Sequence, residues 1–185
     1  MKIAVYSGSF NPLHIGHLAI MKYLTEQLDY DMVYLIVSPQ NPFKEASMAS
    51  SGTDRFKAAV EAVRRHPELK VSVEDIELGM PAPNYTIKTL DALKAREPDN
   101  SFSLVIGADN LAAIRKWKDY RRILSEYGAV VYPRKGYDMI SEKLSLTEED
   151  PGYMIITSEA PVIDISSTEI REAQARGKNM EHFLM

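Results

Sequence analysis

The first strand candidate and the turn after it indicate the fold. Residues 3–17 read IAVYSGSFNPLHIGH, a short apolar run that ends at a Ser-Gly pair and leads into a helical pattern. An apolar run of this length, bounded by turn residues, is typical of a strand buried on both faces. Apolar residues then recur near helical spacing at Ile15, Leu18, Ala19, Leu24 and Leu28. The segment therefore predicts a strand, a tight turn and an amphipathic helix.

The same alternation continues along the chain. Further strands are predicted at 32–37, 71–75, 102–106, 129–132, 154–157 and 162–165. Helices are predicted at 54–66, from an N-cap at Thr86, and in two pieces within 110–127. The polar stretch 136–152 is interpreted as a connection with at most one amphipathic turn. Strand–helix alternation predicts an α/β fold with a doubly wound parallel sheet, and the lack of a linker predicts one domain over 1–185.

Composition excludes several classes of protein. The 185 residues are 45% hydrophobic and 26% charged, as in soluble globular proteins, which excludes a disordered or membrane-spanning chain. Without cysteine, a zinc–thiolate site, an iron–sulfur cluster, a disulfide and a thiol nucleophile are all excluded. A net charge of −4 argues against a nucleic-acid polymer as partner. No signal peptide or apolar span is visible, so we expect a cytoplasmic protein with no membrane partner.

The turn after the first strand carries the first chemical motif. Gly8 and Ser9 allow a tight turn whose N–H groups can face a phosphate. His14 and His17 are three residues apart and share a helix face, and Gly16 lets a ligand approach the backbone. A helix N-terminus with two imidazoles suits a polyphosphate. The pair alone would also suit a solvated helix start or a metal pair, but the zinc signature His-Glu-x-x-His is absent. A Walker A loop and a G-x-G-x-x-G sequence are absent too, which disfavours an ordinary P-loop or dinucleotide-binding fold.

A second motif lies near the other end of the chain, where residues 165–171 read ISSTEIR. Ser166 and Glu169 have the spacing of a capping box, which marks a helix start after a strand. The hydroxyls of Ser167 and Thr168, with Arg171 one turn later, add donors and a cation suited to phosphate oxygens. Capping alone would explain Ser-x-x-Glu, but with the histidine motif the pattern indicates two helix N-termini on one triphosphate.

The two motifs together resemble those of the nucleotidyltransferases marked by [H/T]-x-G-H and I-S-S-T-x-x-R, and most of all the bacterial nicotinate-nucleotide adenylyltransferases. Supporting segments are SPQNPFK at 38–44, PNYTIKTL at 83–90, IGADNL at 106–111, Trp117, and RKGY at 134–137. The resemblance covers residues 3 to about 178 in the expected order. It implies a Rossmann-like sheet of the nucleotidyltransferase type.

The resemblance also implies roles on the ATP side. The residues that would act on the transferring phosphates are His14, His17 and Arg171. The residues that would shape the ATP and phosphate pocket are Gly8, Ser9, Phe10, Gly107, Asp109, Ser167 and Thr168. Among these, Asp109 would bind a ribose hydroxyl, and Ser167 and Thr168 would join Arg171 at the outer phosphates. No residue is assigned to a metal.

On the acceptor side, the resemblance implies a mononucleotide site. Lys44 would approach the mononucleotide phosphate, and Tyr85, Thr86 and Trp117 would surround the pyridine ring. The chain departs from the family pattern at Phe43, where the family usually has histidine. One phosphate donor is therefore missing or supplied elsewhere.

The implied reaction is adenylyl transfer from ATP to nicotinate mononucleotide, giving deamido-NAD and pyrophosphate in NAD biosynthesis. Mg²⁺ is the implied cofactor, bridging ATP oxygens and held mostly by water and substrate. The partners are the two small-molecule substrates, and association of the chain with itself stays open. Two other interpretations also stay open: an enzyme of the same family with another acceptor, such as nicotinamide mononucleotide or phosphopantetheine, and a non-catalytic nucleotide-binding regulator.

Overall fold

Six strands form a parallel sheet in the part of the chain that the computed structural model describes, residues 1–39 and 51–185. The strands are β1 (Lys2–Gly8), β2 (Met32–Val37), β3 (Val71–Glu74), β4 (Ser101–Gly107), β5 (Ala129–Tyr132) and β6 (Ile155–Thr157). Their order is β3-β2-β1-β4-β5-β6, and every neighbouring pair is parallel. The predicted doubly wound parallel sheet is therefore confirmed.

Helices and short helical turns connect the strands. The helices are α1 (Ile15–Glu26), α2 (Gly52–Arg64), α3 (Thr86–Arg96), α4 (Ala108–Ala113), α5 (Tyr120–Arg122), α6 (Met139–Glu149) and α7 (Ser167–Ala175). Single turns of 3₁₀-helix occupy Ile76–Gly79, Ile114–Lys116 and Glu181–Phe183, and a π-helical turn, Ile123–Tyr127, continues α5. Within 1–39 and 51–185, no helix is both long enough and apolar enough to cross a membrane.

The side chains of each strand alternate between two cores, one on each face of the sheet. On β1, Ile3 and Val5 pack with Leu90 of α3 and Leu111 of α4. Ala4 and Tyr6 point to the other face and pack with Met21 and Leu24 of α1 and Ala59 of α2. Because both faces are covered by helices, a strand such as β1 is apolar at successive positions and not only at alternate ones.

The strand order places the site. The chain winds outward from β1 to β3, returns through α3 to β4 beside β1, and then winds outward the other way. The connections that leave β1 and β4 therefore diverge and open a crevice at the carboxyl ends of these two strands. Ligands of open α/β sheets bind in this crevice. The histidine motif follows β1, so it lies at this crevice.

The structure corrects two predicted elements. The stretch 136–152 is not a mere connection, because it contains the three-turn helix α6. Asp138 caps this helix, since its Oδ1 accepts from the N–H groups of Ile140 and Ser141 at 3.1 and 3.0 Å. Only Leu146 of α6 is fully buried, which explains the weak apolar pattern. The predicted strand 162–165 is wrong: this segment forms no ladder, and its side chains line a cavity instead.

A third correction concerns the start of α3. The helix begins at Thr86, but its N-cap is Tyr85, and the Tyr85 side chain makes no capping hydrogen bond. Thr86 is therefore the first helical residue and not the cap. Among residues 1–39 and 51–185, no side chain accepts from the first N–H groups of α3, as happens at helix starts that lack a polar cap.

The two leucines of α6 provide a test of its packing. Leu146 is 0% exposed and Leu144 is 59% exposed, so alanine should remove buried contacts only at Leu146. We expect Leu146→Ala to lower the free energy of unfolding by about 2–5 kcal/mol. Leu144→Ala should change it by less than about 0.5 kcal/mol. Urea unfolding of both variants measures the difference, and equal losses would contradict the assigned face of α6.

Candidate functional site

The turn after β1 brings an aromatic side chain underneath the histidines. Gly8 ends the strand, Ser9 is exposed, and Phe10 is buried with a left-handed φ of 45°. The Phe10 ring packs edge-on against His17 and Tyr6, with ring centroids 5.2 and 5.3 Å apart. A non-glycine residue with positive φ is uncommon and costs backbone free energy. Phe10 therefore supports the histidine pair from the core.

The histidine pair forms the start of α1. His14 is the N-cap, and its Nδ1 accepts the N–H of Gly16 at 3.1 Å. The Nδ1 of His17 accepts the N–H of His14, also at 3.1 Å. A Cβ on Gly16 would lie 2.9 Å from the His14 ring, so this close packing requires glycine. Because both Nδ1 atoms accept, each neutral ring carries its hydrogen on Nε2, the atom left to donate to a ligand.

Both imidazoles are neutral at pH 7. Burial, reinforced by the positive charge of Arg134, lowers the pKa of His14 to about 4. Burial also holds the pKa of His17 well below its ordinary value, and His14 and Arg134 lower it further. Desolvation disfavours the charged form of histidine, as does a nearby cation. The pair therefore offers two neutral N–H donors at the crevice.

The second motif starts α7, as its spacing predicts. Ser166 is the N-cap, and its Oγ accepts the N–H of Glu169 at 3.2 Å. The Glu169 carboxylate in turn accepts the N–H of Ser166 at 2.8 Å. The predicted capping box is therefore confirmed. It fixes the direction of the first turn of α7, which carries Ser167 and Thr168.

The first turn of α7 docks on the loop that precedes α1. Ser167 Oγ donates to the carbonyl oxygen of Pro12 at 2.9 Å. Arg171 Nη1 donates to the carbonyl oxygen of Asn11 at 2.6 Å, and its Nη2 donates to Thr168 Oγ1 at 3.2 Å. Two motifs that lie at opposite ends of the sequence therefore meet at the same edge of the sheet.

Gly107 and Asp109 lie at the carboxyl end of β4, across the crevice from the histidines. Gly107 is the N-cap of α4, and a Cβ there would collide with Asp109 Oδ1. Asp109 lines a cavity of about 330 Å³. The other residues that line it include Arg134, Tyr137, Ile163, Ser166 and Glu169. This cavity therefore joins the end of β4 to the start of α7.

Arg134 belongs to the same cavity, although the sequence analysis assigned it no role. Its Nε lies 3.7 Å from Asp109 Oδ1, and its guanidinium carbon lies 5.2 Å from the ring centroid of Tyr132. Its charge reaches both imidazoles, whose pKa values it lowers. Arg134 stands two residues after β5. Because ligands of open α/β sheets bind beyond the carboxyl ends of the strands, this position in the sequence could have indicated that Arg134 lies at the site.

Arg55 is a second residue that the sequence analysis missed. It is buried on α2, and its Nη1 donates to the carbonyl oxygens of Ser9 and Ser38 at 2.7 and 2.8 Å. Arg55 therefore links the turns that follow β1 and β2. No local pattern distinguishes it from the other basic residues of its helix, so the sequence held no signal for it.

The predicted acceptor residues lie around the start of α3. Tyr85 is 37% exposed, and the ammonium groups of Lys118 and Lys88 lie 4.8 and 5.5 Å from its ring centroid. Trp117, the residue before Lys118, is half-buried and packs against the core that contains Ile3. Thr86 is the first helical residue. The structure thus groups Tyr85 and Thr86 with the segment that carries Trp117.

Two positions of the predicted acceptor site have no structural description. Lys44 and Phe43 lie outside the described residues. Within residues 1–39 and 51–185, no group of three or more histidine, aspartate or glutamate side chains is placed to hold a metal ion.

The chain is similar to known proteins over nearly its whole length. The sequence model of the cytidylyltransferase-like family matches residues 5–173. A Flavobacterium psychrophilum protein named "Probable nicotinate-nucleotide adenylyltransferase" is 40% identical over 184 residues, which cover 100% of this chain and 92% of the relative. A Bacteroides fragilis protein of the same name is 40% identical over 183 residues, 99% of this chain and 87% of the relative.

A solved structure shares the fold at lower identity. The Plasmodium falciparum nicotinic acid mononucleotide adenylyltransferase complexed with NaAD has a TM-score of 0.73 and 17% identity, over 92% of this chain and 82% of that one. At 17% identity this likeness shows the fold alone, whereas the family model and the 40% identical relatives match the sequence across both motifs. On this evidence the chain belongs to the cytidylyltransferase-like family and, within it, to the nicotinate-nucleotide adenylyltransferases.

Proposed function

We propose that this protein transfers the adenylyl group of ATP to nicotinate mononucleotide, forming deamido-NAD and pyrophosphate. The observation that carries the proposal is the junction of two helix starts at the crevice, where α7 docks on the loop before α1. N–H groups at helix starts, two neutral imidazole donors and one guanidinium converge there. This set of donors suits a triphosphate. Relatives at 40% identity over nearly the whole chain are named for this activity.

The chemistry requires positioning and charge stabilisation. A phosphate oxygen of the mononucleotide attacks the α-phosphorus of ATP, and the bond from that phosphorus to the oxygen bridging to the β-phosphate breaks. The attacking phosphate is already anionic at pH 7, so no general base has to remove a proton. Aligning two anionic substrates and stabilising the charge on the leaving pyrophosphate are the tasks left to the protein.

The histidines and α7 would divide the triphosphate between them. The Nε2–H groups of His14 and His17 are free to donate to the phosphate oxygens near the transferring phosphorus, because their Nδ1 atoms are occupied. Ser167, Thr168 and Arg171 are placed for the outer phosphates and then for pyrophosphate. A neutral imidazole can stabilise the growing charge on an oxygen without prior protonation.

The cavity beside β4 suits the adenosine. Asp109 Oδ1 is buried and makes no hydrogen bond to any residue in 1–39 or 51–185, so it can accept from a ribose hydroxyl. A Cβ on Gly107 would collide with that carboxylate, so the carboxylate can lie there only because residue 107 is glycine. Arg134 would balance the charge of Asp109 and face the phosphates. These three residues lie at the ends of two adjacent strands, β4 and β5.

The start of α3 suits the pyridine carboxylate. Its N-cap residue, Tyr85, provides no side-chain cap for the first N–H groups, and helix starts favour an anion. Tyr85 and Trp117 would flank the ring, and Lys44 would approach the phosphate of the mononucleotide. The two substrates would then meet above the carboxyl end of β1.

Mg²⁺ would enter this site already bound to the phosphates of the nucleotide. The described ranges hold no cluster of carboxylates to form a cage, and Mg²⁺ on nucleotide phosphates retains water ligands and needs no such cage. When bound, the ion would neutralise part of the phosphate charge. The chain's own donors, His14, His17 and Arg171, then orient the phosphates.

Replacing His17 tests the role of the histidine pair. We expect His17→Ala to fold normally and to lose turnover by about a hundredfold or more, the usual cost of one preorganised donor to a developing charge. Pyrophosphate release from ATP and nicotinate mononucleotide measures it. His66→Ala is the matched control. His66 lies before the amino end of the outer strand β3, whereas the crevice lies at the carboxyl ends of the strands, so this variant should keep full turnover. A folded His17→Ala enzyme with near wild-type turnover would refute the assignment.

Replacing Arg171 tests the separation of the two substrates. Arg171→Ala should weaken the binding of ATP and pyrophosphate and leave the affinity for the mononucleotide nearly unchanged, since the two ligands would use different cations. Calorimetry with each ligand alone decides the question. Arg176→Ala, at the other end of α7, is the control and should alter neither affinity. Equal losses for both ligands would contradict the separation.

The uncapped start of α3 predicts a preference for the acid over the amide. A carboxylate can accept from every free N–H there, whereas an amide also presents its own N–H₂ and leaves a donor unpaired, at about 1–3 kcal/mol. With the helix dipole included, kcat/KM should favour nicotinate mononucleotide over nicotinamide mononucleotide by about ten- to a thousandfold. Both acceptors are compared at saturating ATP. Equal values, or a preference for the amide, would assign the protein another acceptor.

A further inference from the structure

Glu77 is a buried carboxylate that lies beside the acceptor residues. It stands in the 3₁₀ turn Ile76–Gly79 after β3 and is 5% exposed. Its Oε1 accepts from Thr89 Oγ1 at 2.8 Å and from Ser7 Oγ at 3.4 Å. Within 1–39 and 51–185 it forms no ion pair. Burial of a carboxylate with hydroxyl partners alone costs free energy, so its contacts indicate a specific task.

These contacts bracket the start of α3. The Glu77 side chain binds Thr89, in the first turn of the helix, and the Glu77 carbonyl oxygen accepts from Asn84 Nδ2 at 3.1 Å. Tyr85 and Thr86 lie between these two attachment points. Glu77 therefore ties Thr89, through its side chain, and Asn84, through its carbonyl oxygen, to the 3₁₀ turn Ile76–Gly79, on either side of a helix start whose N-cap side chain makes no bond.

The same carboxylate also contacts the end of β1, next to the turn that contains Gly8 and Ser9. Ser7 is the residue before Gly8, and its Oγ lies 2.9 Å from Ser38 Oγ, at the end of β2. The bond from Ser7 to Glu77 is longer than the bond from Thr89, 3.4 Å against 2.8 Å. Glu77 is therefore held more tightly to the helix than to β1, and its loss should affect the α3 side first.

We propose that Glu77 is a positioning residue that sets the mononucleotide affinity of the enzyme by fixing the first turn of α3. This inference rests on the proposed function, in which that turn receives the pyridine carboxylate. Donors that are already ordered bind a ligand without the entropy cost of ordering them at the moment of binding. Glu77 itself does not contact the substrate.

The test separates the KM values of the two substrates. Glu77→Ala should raise KM for nicotinate mononucleotide about tenfold, a modest estimate for one lost hydrogen bond to a charged group, and leave KM for ATP within about twofold. Glu77→Gln keeps the acceptor oxygen and should restore KM for the mononucleotide to within about twofold of wild type. This rescue also serves if the alanine variant does not fold.

Thr89→Val provides an independent arm, because it removes the donor and preserves the shape of the side chain. It should reproduce the rise in KM for the mononucleotide. The double variant Glu77→Ala/Thr89→Val should show little further rise, since both changes remove the same contact.

Glu74→Ala is the matched control. Glu74 ends β3, three residues before Glu77, and its carboxylate binds Arg96 at the far end of α3 at 2.9 Å. It therefore anchors the same helix at the opposite end, and its loss should leave KM for the mononucleotide within about twofold. A general loosening of α3 would instead move KM in both variants.

The outcomes distinguish a failure of this inference from a failure of the proposed function on which it rests. Wild-type turnover with an unchanged mononucleotide KM in both Glu77→Ala and Thr89→Val rejects the inference alone. So does an equal rise in both KM values, or an equal effect of Glu74→Ala. Absence of wild-type pyrophosphate release from ATP and nicotinate mononucleotide rejects the proposed function, and the inference with it.

Discussion

The docking of α7 on the loop before α1 is the contact on which the candidate site depends. Ser167 and Arg171 donate to the carbonyl oxygens of Pro12 and Asn11, so the last helix of the chain is fixed to the turn after the first strand. The proposed triphosphate site needs both motifs, because each supplies only part of its donors. The sheet places the histidines at the crevice, and this contact places Arg171, Ser167 and Thr168 beside the loop that precedes them.

The histidine pair shows how burial sets the chemistry of the crevice. Phe10 and the surrounding core exclude water from the rings, and Arg134 adds a positive charge, so the pKa of both imidazoles falls. Their Nδ1 atoms are occupied by backbone N–H groups, which directs the remaining N–H outward. The same contacts that cap α1 thus select the tautomer with the hydrogen on Nε2, the donor that the proposed function directs at a phosphate.

Most strands and one of the two helix starts at the candidate site could be predicted from the sequence. The apolar runs predict β1, β2, β4 and β5 because strands covered on both faces are apolar throughout. The capping box of Ser166 and Glu169 was predicted from spacing alone, because both partners lie within one helical turn. The stretch that forms α6 was not predicted as a helix, since a single fully buried residue, Leu146, leaves no amphipathic period to detect.

The sequence by itself therefore determined the fold class, the two motifs and their order along the chain, since each depends on residues close together in sequence. The tertiary structure alone decided which distant residues complete the site. Arg55 reaches the turns after β1 and β2, and Glu77 brackets the start of α3, through contacts with residues far away in the chain. Such partners have no fixed spacing, because packing of separate elements, and not local backbone geometry, brings them together.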